Sequence, residues 1–171
     1  MFTLETLVFL QKTLSFMAMA LLAAAAYTDV RTFRIPNLLV GAVAALGIVR
    51  LVLLGNPIAW IYAGVVVVLI FTIGLMLFSR GIVGGGDVKL LTATILMIRY
   101  PDLLRFFALM SVVGALLSLA ALIYQYLPLS SERRLTGCLP KVRLPVPYGV
   151  AIATAGIVSL LYQPLLFRYG W

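Results

Sequence analysis

The chain has no histidine, a single cysteine (Cys138) and only five carboxylates: Glu5, Asp29, Asp87, Asp102 and Glu132. Zinc sites built from His and Cys are therefore excluded, as are Ser–His and Cys–His catalytic pairs and an intrachain disulfide. Acid–base chemistry has to draw on the carboxylates. Asp87 stands out among them, because it ends the run Gly84-Gly85-Gly86 and precedes Val88-Lys89. Three consecutive glycines cost backbone entropy and are poor helix formers, so they fit a tight bend or the close approach of another backbone. Asp87 then opens the next helix, where its side-chain oxygen can cap free N–H groups. Asp29 ends an earlier apolar segment, at Tyr27-Thr28-Asp29. Two carboxylates in hydrogen-bond reach cannot both ionise cheaply, so they share a proton and titrate together. Such a dyad can activate water with its ionised member and protonate a leaving group with the other. The competing readings are a glycine turn with an N-capping Asp87, and an interfacial salt bridge from Asp29 to Arg31 or Arg34.

The elements that must bring these residues together are membrane helices. Of 171 residues, 64% are hydrophobic and 11% charged, and the mean hydropathy is +1.15. Soluble domains are about 45–50% apolar and about 25% charged. An ionisable group at or below a bilayer surface is a functional-site candidate by default. The expected fold class is all-α: a polytopic membrane protein forming one domain over residues 1–171, with about six transmembrane helices of roughly 20 residues each. The net charge of +8 is scattered over loops without an aromatic–basic stripe, which favours membrane lipids as partners and excludes nucleic acid. Composition implies neither cofactor nor metal.

The expected spans run from Leu7 to Thr28, Leu38 to Leu54, Ile58 to Phe78, a short fourth with its core at Leu90 to Ile98, Leu103 to Leu127, and Val146 to Phe167. The breaks are Val30 to Asn37, where Pro36 disfavours helix at Ile35, then Gly55-Asn56-Pro57, Ser79-Arg80-Gly81 and Pro101-Asp102. Asp87 to Tyr100 covers only about 20 Å as helix, against a hydrocarbon core of about 30 Å. With Arg99 and Tyr100 at one interface, Asp87 lies below the other and needs a water-accessible cavity. Ala23 to Ala26 mimics a signal-cleavage site, but the basic region that should precede it is missing.

Charge orients the bundle. Loops after the first, third and fifth spans carry Arg31, Arg34, Arg80, Lys89, Arg133, Arg134, Lys141 and Arg143, against Lys12, Arg50, Arg99, Arg105 and Arg168 on the other side. The positive-inside bias places those three loops, and with them both Asp29 and Asp87, on the cytoplasmic face. Asp102, beside Pro101 and near Arg105, reads as a turn or cap residue.

Asp29 with Ile35-Pro36-Asn37, then Gly84-Gly85-Gly86-Asp87-Val88-Lys89, then Pro147-Tyr148-Gly149-Val150-Ala151-Ile152 resembles the aspartic prepilin peptidase family. The motifs stand in the family's order and the resemblance covers nearly the whole chain. The small size is similar to that of short Tad-type members. The resemblance implies a G-x-G-D membrane endopeptidase of the bacterial inner membrane, multi-pass, cutting the leader from type IV prepilin or pseudopilin precursors at the cytoplasmic face. It makes Asp29 and Asp87 the catalytic pair. Gly84, Gly85 and Gly86 would let Asp87 approach its partner and the substrate, and Pro147, Tyr148 and Gly149 would line the cavity. Lys89, two residues past Asp87, faces differently along a helix and is not assigned to catalysis. Larger members carry paired C-x-x-C motifs and methylate the new N-terminus. Here the loop after the first span is short and Cys138 stands alone, so no methyltransferase activity is expected.

Presenilin-like proteases are similar around Asp29 and Asp87, but their Pro-Ala-Leu near the last catalytic helix is missing here. A different class would be a small transporter using the two aspartates for a proton or cation, with the glycine turn as a broken midplane helix. Against it, the chain shows no half-to-half repeat. A purely structural membrane subunit would leave two facing carboxylates unexplained.

Overall fold

The computed structural model describes residues 4–126 and 147–166. Among these residues, six α-helices and one 3-10 turn form the fold, with no strand. They are α1 (Leu4–Thr32), α2 (Asn37–Leu54), α3 (Pro57–Ser79), α4 (Gly85–Ile95), the turn Tyr100–Asp102, α5 (Leu103–Tyr126) and α6 (Tyr148–Leu166). This is an all-α membrane protein. Glu5–Thr32, Pro57–Ser79 and Tyr100–Tyr124 are long and apolar enough to cross a bilayer, and Asn37–Leu53 and Tyr148–Gln163 are shorter apolar helices. The basic loop with Arg133, Arg134, Lys141 and Arg143, together with Glu132, Cys138 and Arg168, lies outside the described residues.

The punctuation residues act as their chemistry predicts. Asn56 caps α3 by accepting the Ile58 N–H at 2.9 Å, with Pro57 at the first helical position. Gly55 ends α2 in the left-handed conformation at φ 59°. The fourth span, expected to have its core at Leu90 to Ile98, is helical only to Ile95, and two boundaries beside the aspartates also differ from expectation. The helix α1 continues through Val30, Arg31 and Thr32, so Asp29 stands inside the helix one turn from its end. It stops where Phe33 takes a positive φ of 49° and donates its N–H to the Asp29 carbonyl at 2.9 Å. The four-residue link Phe33–Pro36 then leads into α2. The second difference is the bend before α4, which is made by Gly81 at φ 69° and not by the glycine run.

The shortest helix lies at the centre. About 16 Å long at ~1.5 Å per residue, α4 packs against α2, α3 and α6, while α6 also packs on α1 and α5, and α1 on α2. Three glycines let the neighbours come close. A Cβ on Gly47 of α2 would lie 2.5 Å from Leu96 Cβ, one on Gly74 of α3 2.5 Å from Val88 Cγ1, and one on Gly156 of α6 3.0 Å from Thr94 Cγ2. Lipid tails are as apolar as any side chain, so helices in a bilayer gain by such close packing. Val88 and Thr94 are buried accordingly, and Leu90, Ala93, Ile95 and Met97 share one core with Leu22, Val43, Phe106 and Leu160. The apolar α3 buries only Gly74, which suits a helix facing lipid nearly all round. Tyr100 stacks on Tyr62 at 4.9 Å, so the segment from α4 returns to the level at which α3 begins.

Candidate active site

Asp29 is positioned by the last turn of α1 against the start of α6. It is 5% exposed, and its Oδ2 is buried without a hydrogen-bond partner. The amides of Gly149 and Val150, in the first turn of α6, face the carboxylate. The free N–H groups and dipole of a helix N-terminus favour negative charge there. The Val150 N–H donates to the Pro147 carbonyl at 3.2 Å, so its turn is closed and its pull on Asp29 is electrostatic. Gly149 is the tightest contact: a Cβ there would stand 2.6 Å from Asp29 Oδ2, 2.9 Å from Cγ and 2.9 Å from Ile35 Cδ1. Only the absence of a side chain lets α6 meet the carboxylate. No ion pair joins Asp29 to Arg31 or Arg34 among the described residues; the Arg31 guanidinium instead lies 5.0 Å over the Tyr27 ring.

Asp87 is half-buried in the first turn of α4. It is not the cap itself, as the sequence leads one to expect. Gly84 is the N-cap, in extended conformation with no side-chain bond, and the Asp87 carboxylate folds back toward the Gly84 amide from three residues on. That is the second half of a capping box, built without its Ser or Thr. A Cβ on Gly84 would lie 2.9 Å from Asp87 Oδ2, one on Gly85 3.2 Å from the Phe78 ring, and one on Gly86 3.5 Å from Ile35 Cβ. The glycines therefore make room for side chains rather than for another backbone.

Ile35 is the hinge of this arrangement, a half-buried side chain touching the Gly149 side next to Asp29 and the Gly86 side next to Asp87. Around it the two aspartates, 58 residues apart in the chain, come within reach of each other's charge. A second tie joins the same elements: Lys89 donates to Asn37 Oδ1 at 3.2 Å, linking α4 to the start of α2. Of the other residues singled out, Pro147 precedes α6 and Tyr148 is 42% exposed with its ring against Gly114 of α5. Asp102 sits in the 3-10 turn, 3.9 Å from Arg105.

The comparison with known families is decisive at this point. A model of the type IV leader peptidase family matches residues 16–119, more than half of the chain and including both aspartates and the glycine run. The chain belongs to that family. No curated protein and no solved structure matches it. As a type IV leader peptidase family member, the chain is an integral membrane protein whose family acts on prepilin-type substrates. The Pro147-Tyr148-Gly149 segment lies beyond the matched stretch, yet it supplies the glycine on which Asp29 rests.

Sequence reasoning passed over two features of this leader peptidase family member. Ile35 carries no chemistry, so nothing in its type marks it as the residue that meets both Gly86, beside Asp87, and Gly149, against Asp29. Arg50, counted only among the basic residues of the face opposite the aspartates, is buried in α2 beside Gln163. The available signal was an arginine in the apolar run Val43 to Leu54, where a charge needs a partner.

Proposed function

We propose that this protein is a membrane aspartic endopeptidase that removes the N-terminal leader from type IV prepilin or pseudopilin precursors, with Asp29 and Asp87 as its catalytic pair. The observation that carries the reading is the unpartnered, buried Oδ2 of Asp29, held on Gly149 and within electrostatic reach of Asp87. Stranding a carboxylate oxygen without a partner is costly, and a site meant to receive a water explains it.

In this mechanism the two carboxylates hold one proton jointly and bind a water between them. The ionised member takes a proton from that water as its oxygen attacks the scissile carbonyl carbon. The protonated member donates to the carbonyl oxygen, giving a neutral tetrahedral diol. Collapse of the diol breaks the C–N bond, and the amine leaves with a proton returned from the dyad. No covalent enzyme intermediate forms, in keeping with the lack of a histidine to activate a Ser or Cys nucleophile.

The active site faces the cytoplasm of a bacterial cell, at the inner membrane, by the excess of Arg and Lys beside Asp29 and Asp87. The resemblance to short Tad-type members, the four-residue link from α1 to α2 and the lone Cys138 support cleavage without N-methylation. Co-expression with a pilin-like precursor tests the reading. Shortening of the precursor that disappears in both Asp29→Asn and Asp87→Asn is expected. An intact precursor beside well-inserted wild-type protein, with proton- or ion-coupled flux in vesicles, would instead establish a transporter.

A further inference from the structure

A second buried polar cluster lies at the end of α4 away from Asp87. The α4 hydrogen-bond ladder gives way after Ile95 to two tight turns, in which the Met97 and Ile98 amides donate to Thr94 and Ile95 carbonyls at 2.9 and 3.0 Å. Met97 is fully buried, so its own carbonyl, beyond the helix, must find a partner inside the protein. It finds two. Arg50 of α2 donates Nη1 to that carbonyl, and Gln163 of α6 donates Nε2 to it at 3.4 Å. The triangle closes where Arg50 Nη2 donates to Gln163 Oε1 at 2.6 Å. Arg50 and Gln163 are 4% and 2% exposed.

This clamp acts where packing alone leaves freedom. Leu96, Val88 and Thr94 seat at Gly47, Gly74 and Gly156, and this non-directional packing holds the helices together along their shared length. A guanidinium fork bonded at once to a fixed carbonyl and to a side chain of a third helix is directional. Its partners also reach the aspartates. The helix α6, which carries Gln163, rests Gly149 of its first turn on Asp29, and α2, which carries Arg50, begins at Asn37, bonded to Lys89. Met97 lies ten positions past Asp87, about 15 Å at helical rise. It is tied to the end of α4 by the bond from its amide to the Thr94 carbonyl, so a shift of the clamp is passed to α4 and along it toward Asp87.

We propose that Arg50 is a positioning residue for the peptidase reaction: the Arg50–Gln163–Met97 clamp sets the axial position of α4 and thereby the spacing between Asp87 and Asp29. This inference rests on the aspartic peptidase reading. Displacing a catalytic group by about 1 Å costs on the order of 100-fold in rate.

The test compares cleavage of a prepilin-type precursor by wild-type protein and by Arg50→Met, Arg50→Lys and Gln163→Met, each purified in detergent with its melting temperature measured. Arg50→Met should lower kcat about ten- to hundredfold with KM within twofold. It should also displace the limbs of the pH–rate profile, because the coupling of the two carboxylates changes with their spacing. The charged side chains at the Asp87 end of the bundle (Arg31, Arg34, Arg80 and Lys89) are untouched by these substitutions. Arg50→Lys keeps a donor for the Met97 carbonyl and should recover part of the rate, and Gln163→Met should shift kcat in the same direction by less. A merely structural role would reduce the folded fraction and scale the profile without moving its limbs; that result, or a folded Arg50→Met with kcat within threefold of wild type, overturns the proposal. If Arg50→Met does not fold, an unchanged kcat in both Arg50→Lys and Gln163→Met overturns it. Inactive wild-type protein would sink the peptidase reading itself, whereas active wild type with indifferent Arg50 variants sinks only the clamp.

Discussion

Gly149→Ala isolates the contact on which the candidate site turns. The new methyl would stand 2.6 Å from Asp29 Oδ2, 2.9 Å from its Cγ and 2.9 Å from Ile35 Cδ1. Carbon atoms rest at about 3.5–4.0 Å, so the carboxylate or the start of α6 must retreat by about 1 Å. Neither neighbour is the loose end of a long side chain, because Asp29 is held in α1 and Ile35 in the short link before Pro36. A displacement of that size costs on the order of 100-fold in rate, or about 2.7 kcal/mol of barrier. Alanine meanwhile favours helix over glycine by about 1 kcal/mol, which offsets part of an overpacking cost of about 1–3 kcal/mol, so the melting temperature should fall modestly while the rate falls far more. The assay is kcat/KM for a prepilin-type precursor, read beside the melting temperature. Gly41→Ala and Gly64→Ala serve as controls, since a Cβ at either position meets nothing within 4 Å. Both should cleave like wild type. Cleavage by Gly149→Ala within threefold of wild type would refute the argument that this glycine fixes the Asp29 carboxylate.

Other substitutions separate packing from chemistry. Gly74→Ala would place a methyl 2.5 Å from Val88 Cγ1 and should cost about 1–3 kcal/mol by overpacking the α3–α4 contact, seen as a lower melting temperature and slower cleavage together. Phe33→Gly removes a bulky residue from a positive φ of 49° and should stabilise the protein by about 1 kcal/mol, raising the melting temperature and leaving cleavage unchanged. Lys89→Met breaks the exposed 3.2 Å bond to Asn37, worth about 0.5–1.5 kcal/mol, so kcat should stay within about tenfold of wild type; complete loss of cleavage would give Lys89 a direct part in the chemistry.

Much of this protein is legible in its residues because a bilayer reads sequence locally. Long apolar stretches must be helical when water cannot satisfy their backbone, and Gly55-Asn56-Pro57 and Pro36 break them where their own backbone chemistry requires. Asp29 and Asp87 stand out for the same reason, as rare charges beside apolar runs. Local rules also err locally. Glycines at 84 to 86 read as a bend, yet α4 begins at Gly85 and Gly81 makes the turn.

What sequence by itself determined was the class of structure and the short list of groups able to do chemistry, since both follow from residue type and from stretches of about 20 residues. Only the tertiary structure decided what those groups meet. That Gly149 rests on Asp29, that Ile35 meets both Gly86 and Gly149, and that Arg50 reaches Met97 and Gln163 are contacts across 47 to 120 residues of chain, or between helices whose hydrophobicity is much the same all round. Helices of that kind carry no mark of which face meets which neighbour. The choice is made by close packing and by a few buried polar groups that must find partners, and both exist only once the bundle is assembled.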